Sequence, residues 1–499
     1  MKFVDRRREL YALNHFYHRT AAGLLVLYGR RRVGKTSLLS HWVETAHLGD
    51  DVLFWTATTY SSAVQLRDFS QILMQFDRRF STAIPVDFSL PTWAAAFEYL
   101  ASLAAQYNES KPFVVVIDEF TYLIQSDPAI VSALQKVWDH KLSKLASLRL
   151  ILSGSLVGVM EQDVLSAKSP LYGRATTLIK LHQLPYGALV EIFPGWSPAE
   201  RVTVYGVCGG IPAYLGLFEQ ARNFTDGLSN YCLSPSSIML SDAALLINER
   251  LSEPQAYLSI LGALAGGFHT WSDIARMSGV PEGNLGYYLQ TLQALEMVER
   301  RDPVLSPRGN RQGHYHISDS FLRFHFRFIV PYRTSIERGD TMRVVKVLSE
   351  ELRAFIGTYV YEELCREWTL TEADAGHLGF LPESIGAFWT RYRGSGVQLD
   401  VVAASRREKH LFIGEAKWGE EPLPRNILTD LVKRSRHMPQ VAEGWQTEYA
   451  LFSRGGFTDA TRQAAKEMGA RLVDLPQLER TLVMAARGEL QSPSSPSSR

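Results

Sequence analysis

Residues 28–39 read YGRRRVGKTSLL, and Gly29, Gly34, Lys35 and Thr36 have the G-x-x-x-x-G-K-[ST] spacing. No other feature constrains the fold as much, because this spacing works through the backbone. Its glycines let successive N–H groups converge on phosphate oxygens, and the helix that follows adds its positive N-terminal end. The motif therefore needs a strand before it and a helix after it. LLVLY at 24–28 supplies a buried strand, and TSLLSHWVE supplies the helix. Gly29, Arg30, Arg31, Arg32, Val33, Gly34, Lys35, Thr36 and Ser37 are expected to wrap a nucleotide's phosphates. Lys35 would reach the β- and γ-phosphates and Thr36 would ligate Mg²⁺, so ATP and Mg²⁺ are the expected cofactors.

A second motif supplies the partner chemistry. VVVIDEF is an apolar strand ending in two acids. Asp118 falls at the carboxyl edge of the sheet, near the Mg²⁺ shell, and Glu119 is placed to polarise the attacking water. An Asp alone would bind nucleotide; the added Glu argues for hydrolysis. LILSGS ends another strand in polar residues, where Ser153 or Ser155 would sense the γ-phosphate, orient water or cap the next helix. Arg174, in PLYGRATTL, is a candidate for stabilising the transferring phosphoryl group, in its own or a neighbouring subunit.

Three further apolar runs, 51–57, 113–118 and 148–155, recur at helix-separated intervals, which predicts a parallel α/β sheet. At 499 residues the chain exceeds one compact core. The pattern divides it into an ATPase core (1–188), a helical lid (189–248), a winged helix-turn-helix with a bridging helix (249–343), a last α/β domain (344–485) and a Ser/Pro-rich disordered tail (486–499). In the third segment, EGNLGYYLQTLQALEMVERR reads as a recognition helix running into a wing. Asn284, Tyr287 and Gln290 are its base-reading candidates. Arg300, Arg301, Arg308, Arg311, His314 and His316 form a basic cluster that would contact DNA phosphates. Winged helices also serve as protein-binding modules, so a protein partner or homo-oligomer stays open. FLRFHFRFIVPYR is expected to pack Phe321, Phe324 and Phe328 into a core.

A formal net charge of +1 decides nothing about nucleic acid, since a local patch hides in a neutral total. Cys208, Cys232 and Cys365 are far apart, with no C-x-x-C, so neither a disulfide framework nor a zinc site is indicated. With no segment approaching the ~20 apolar residues of a membrane span, the expectation is a cytoplasmic protein without membrane contact.

GVQLDVVAASRREKHLFIGEAKWG, residues 396–419, carries the second chemical signal. It reads as two strands of a hairpin, with Asp400 on the first and Glu415 and Lys417 on one face of the second. If Asp400 pairs beside Glu415, the two carboxylates can hold Mg²⁺ while Lys417 positions a water.

In order, FVDRRREL, GRRRVGKTSLL, VVVIDEF, LILSGSLVGVME, SPLYGRATTLIKLHQLPY and GGIPAYL resemble the archaeal-type ATPases of the AAA+ superfamily over about residues 1–230. That resemblance implies a P-loop NTPase fold, with Phe3, Arg6, Glu9 and Leu10 near the adenine. A similarity to the signal-transduction NTPases implies that Gly210 and Pro212 sit in a lid against the nucleotide, as in a switch. FIGTYVYEELC, IGAFWTRY and LDVVA…FIGEAKWG resemble the C-terminal domain of unknown function that often follows this ATPase module, and the hairpin resembles the PD-(D/E)xK nuclease core. A restriction-endonuclease-like domain is implied, with Glu362 completing the metal site. Gln398 departs from that pattern, standing two before Asp400 where relatives often carry an acid.

Overall fold

A computed structural model describes residues 2–77, 85–248, 251, 253–307, 312–392 and 395–490. The chain divides into two compact units: residues 6–183 with 211–213, and the remainder.

In the first unit, five strands among the described residues form one parallel sheet. They are β1 (Gly23–Tyr28), β2 (Val52–Thr56), β3 (Phe113–Asp118), β4 (Leu148–Gly154) and β5 (Thr177–Lys180), in the order β2-β3-β4-β1-β5. Every residue of β3 and β4 is buried, as expected for strands covered by helices on both faces. Strand β4 separates the loop-bearing β1 from the acid-tipped β3, so the two motifs meet across it at the carboxyl edge. The amino edge is closed by the fully buried Arg149, whose guanidinium donates to the carbonyls of Tyr17 (2.9 Å), Ala21 (3.1 Å) and Ala146 (2.8 Å).

The second unit opens with Tyr186–Ala188 and helix Pro198–Cys208, which a capping box between Ser197 and Glu200 starts. Helices Pro254–Ala265, Trp271–Ser278 and Glu282–Ala294 precede an antiparallel pair, β6 (Val298–Arg301) and β7 (His314–Ile317), in which Arg301 faces His314. Phe321, Phe324 and Phe328 are buried, as their spacing predicts. Helices Thr341–Ile356 and Glu362–Asp374 lead into a second sheet, β12-β11-β10-β9-β8. Its strands are β8 (Ser384–Tyr392), β9 (Ser395–Ser405), β10 (His410–Lys417), β11 (Gln446–Ser453) and β12 (Arg471–Asp474). β8, β9 and β10 pair antiparallel, whereas β10, β11 and β12 run parallel.

The last helix, Leu475–Arg487, packs on Tyr186–Ala188 so closely that a Cβ on Gly187 would lie 2.3 Å from the Leu482 carbonyl oxygen. Its Glu479 is buried, taking two bonds from the Arg201 guanidinium (2.8 and 2.7 Å) and one from the Tyr186 hydroxyl (2.7 Å). This helix runs two residues beyond the boundary at 485 expected from the sequence. The rest of the expected tail, from Gln491, lies outside the described residues.

Candidate functional sites

In the nucleotide loop, Gly29 follows β1 directly. A Cβ there would meet the Leu181 carbonyl oxygen at 2.3 Å, so only glycine lets the chain pass. Arg32 and Gly34 take left-handed backbone (φ 70° and 94°), and the helix begins at Lys35. Lys35 is buried, with Nζ donating to the carbonyls of Gly29 (3.1 Å) and Arg30 (3.3 Å), so its ammonium stands over the loop's mouth. Buried Arg6 donates to the Val33 carbonyl (3.1 Å), tying the amino-terminal segment to the loop. Pro212 stands against the loop as well, 3.7 Å from a Cβ built on Gly34. Thr36 and Ser37 are exposed at the start of the helix.

The Thr36 hydroxyl donates to the Asp118 carboxylate at 2.6 Å. These are the hard oxygen donors that Mg²⁺ takes, and the fold places them side by side. Glu119 adopts left-handed backbone (φ 53°), a conformation costing about 1–3 kcal/mol outside glycine. That kink turns its carboxylate to Ser155, whose hydroxyl donates at 2.6 Å and whose N–H lies at 3.3 Å. Ser155 is thus the strand-end serine that touches the catalytic candidate. Ser153 is buried, and its hydroxyl has no hydrogen-bond partner among the described residues. Arg174 is brought to Asp139 rather than to the loop. Two bonds of 2.7 Å fix its guanidinium there and hold the Asp139 carboxyl below its usual range. The pairing could not be read from a sequence in which the partners stand 35 residues apart.

In the second unit, the β9–β10 register runs from His410↔Ser405 to Gly414↔Val401, and Asp400 and Glu415 stand one residue beyond its last pair on their two strands. Both are buried. Lys417 Nζ lies 2.6 Å from Glu415 and 3.9 Å from Asp400, so the three side chains converge. Burial, then the Glu415 charge, raises the Asp400 pKa, and the Ala416 N–H donates to its carboxylate at 3.1 Å. Two arginines that the sequence reading missed complete the cluster. Arg434 pairs with Glu415 at 2.7 Å. Arg366 pairs with Glu362 at 3.0 Å and donates to the Asp400 carbonyl at 3.0 Å. Arg366 stands one helical turn after Glu362, a spacing that could have revealed it; Arg434 arrives from a distant helix.

Glu362 is not gathered into a three-carboxylate metal set. Arg366 engages it, burial and then Asp400 push its pKa up to about 8, and no such group of three forms among the described residues. The pair Asp400 and Glu415 still fits Mg²⁺, which commonly takes one or two carboxylates and completes its shell with water and phosphate.

Around β6–β7 the expected basic cluster is engaged by partners within the chain, with Arg301, His314 and His316 half-buried and Arg300 exposed. Arg301 pairs with Glu299 and Glu363. Arg300 pairs with Asp302 at 3.0 Å. His314 stacks on Trp389 (4.8 Å) and His316 on His269 (4.2 Å). Burial lowers the pKa of His314 and His316, and that of His269 to about 4, so these rings are neutral at pH 7. Arg308 and Arg311 lie outside the described residues. Asn284, Tyr287 and Gln290 are exposed on helix Glu282–Ala294.

Residues 3–218 match the family described as an ATPase domain predominantly from Archaea, and residues 325–430 match one described as archaeal and bacterial proteins of unknown function. An uncharacterized protein of Methanocaldococcus jannaschii is 31% identical over 439 residues, covering 87% of this chain and 92% of that protein. An uncharacterized ATP-binding protein of the same organism is 48% identical over 42 residues, 8% of this chain and 71% of that protein. Among solved structures, the Walker-type ATPase of Pyrococcus abyssi gives a TM-score of 0.49 at 20% identity, covering 65% of this chain and 96% of that one. The ORC1 protein of Aeropyrum pernix in complex with DNA gives 0.29 at 14% identity, covering 67% and 94%. The match makes residues 3–218 an ATPase domain. The chain belongs to the family of archaeal-type P-loop ATPases in which the ATPase domain is joined to this C-terminal domain of unknown function.

Proposed function

We propose that the ATPase is magnesium-dependent and works on nucleic acid, with a winged helix-turn-helix at 254–317 holding DNA and a restriction-endonuclease-like C-terminal domain cutting a phosphodiester. The observation that carries this reading is the convergence of Asp400, Glu415 and Lys417 on adjacent strands, with the lysine 2.6 and 3.9 Å from the two acids. In the ATPase, Lys35 would leave the loop carbonyls for phosphate oxygens, and Thr36 and Asp118 would hold Mg²⁺. Glu119 would orient the attacking water and take its proton, releasing ADP and phosphate. In the C-terminal domain Asp400 and Glu415 would hold the ion and Lys417 would orient water. When bound, the metal supplies positive charge to the phosphate under attack. Asn284, Tyr287 and Gln290 would meet the bases.

A second reading makes the chain an ATP-controlled assembly switch with a silent nuclease-like domain. It is favoured by the partners that Arg301, His314 and His316 find within the chain, and by helix Glu282–Ala294, whose own sequence carries no basic side chain.

The test is incubation of the pure protein with linear, circular and single-stranded DNA, with Mg²⁺ or Mn²⁺, with and without ATP. Cleavage that is lost in Asp400→Ala and altered in Lys35→Ala supports the first reading. Intact ATPase without cleavage, together with ATP-dependent association in sedimentation, selects the second.

A further inference from the structure

Glu415 is only 4% exposed, and both of its oxygens face cations. Lys417 lies 2.6 Å from one and Arg434 lies 2.7 Å from the other. The two cations differ in attachment. Lys417 sits two residues along the same strand. Arg434 comes from the last turn of helix Asn426–Ser435, and its second N–H edge donates to the Gln398 carbonyl at 2.5 Å. Its side chain is 31% exposed, so the guanidinium spans the buried acid and the solvent. A planar fork that bonds one carbonyl and lies in ion-pair range of a carboxylate oxygen it does not hydrogen-bond is the group that suits the paired oxygens of a phosphate.

We propose that Arg434 is the substrate-responsive residue of the C-terminal site, neutralising Glu415 at rest and moving to a backbone phosphate when a nucleic-acid strand enters. The inference rests on the nuclease reading above. Charge sets its direction. A buried carboxylate stripped of its partner is costly, so Arg434 leaves only when other positive charge takes its place. A divalent cation brings that charge, and the phosphate brings an anion for the released guanidinium. Metal and strand therefore load together, and each is disfavoured without the other. Arg434 makes no bond and breaks none; it positions the phosphate and withholds Glu415 from the ion.

The test measures Mn²⁺ affinity by electron paramagnetic resonance without DNA, beside cleavage of linear DNA, in full-length wild type, Arg434→Gln, Arg434→Lys and Asp400→Ala. Arg434→Gln should bind Mn²⁺ about tenfold more tightly than wild type and cleave about tenfold or more slowly, the scale on which groups bonded to metal ligands act. Arg434→Lys keeps the charge and loses the fork, so it should hold Mn²⁺ affinity near wild type while cleaving more slowly. This second variant decides the matter if the first does not fold. Wild-type cleavage in either variant, with cleavage abolished in Asp400→Ala, overturns the role of Arg434 and leaves the nuclease reading standing. A wild type that cleaves nothing, with Mn²⁺ affinity unchanged by Asp400→Ala, overturns both.

Discussion

The histidines around β7 make the second unit acid-sensitive in a way that can be worked out. His269 donates through its Nδ1–H to the Tyr315 carbonyl at 2.9 Å, and its ring lies 4.2 Å from that of His316. Burial depresses both pKa values, and the Arg301 and Arg323 charges act in the same direction. A histidine depressed in the folded state stabilises fully above its unfolded pKa of about 6.5, and that stability is lost as pH falls. The loss is about 1.4 kcal/mol per pH unit per group, so at pH 5 it is about 2 kcal/mol for each of these two. Buried acids in the same unit oppose it. Burial, chiefly, raises Glu362 to about 8 and Glu367 to about 7, and groups of that kind gain stability on acidification through the same window. The total pH curve is therefore undiagnostic; the difference between wild type and His269→Gln/His316→Phe isolates the pair. Urea unfolding followed by tryptophan fluorescence at pH 7.5 and 5 should show the gap between them shift by about 4 kcal/mol in favour of the variant at low pH. A gap that does not change with pH would refute neutral burial of the two rings.

Two further substitutions test other parts of the molecule. Glu119→Gln keeps the backbone and the Ser155 contact but removes the base, so ATP binding should survive while steady-state hydrolysis falls by about 10²–10⁴-fold. Arg201→Met leaves the Glu479 carboxylate buried without its ion partner and should cost about 3–5 kcal/mol in urea unfolding, whereas Arg201→Met/Glu479→Leu should recover most of it; equal losses in the single and double variants would show that the ion pair is not the cause.

What the sequence revealed follows from the range of each interaction. The phosphate loop was legible because its requirement is local: Gly29 and Gly34 serve backbone geometry within six residues. The nearness of Asp400 and Glu415 was legible as a condition on hairpin register, and the two stand just beyond the last β9–β10 pair. The direction in which a charge points was not legible. Arg301, His314 and His316 looked like a surface cluster, but Glu363, Trp389 and His269 supply their partners from elsewhere in the chain. Arg174 went to Asp139 for the same reason. Arg434 was missed because its helix gives no hint that one residue of its last turn reaches a buried acid on β10.

The bond between Arg201 and Glu479 joins residues 278 apart. A ribosome adding about 5–20 residues per second needs on the order of half a minute to cover that stretch. The strands of the ATPase sheet, all within residues 23–180, have left the tunnel by then. The segment around Tyr186 and Arg201 has left it too, yet it must keep a guanidinium and a tyrosine hydroxyl in water until the last helix is made. Birth order and spatial order are thus reversed for this layer: one of the first segments to emerge after the sheet is among the last to be sealed, and the nascent chain passes most of its synthesis with that seam open.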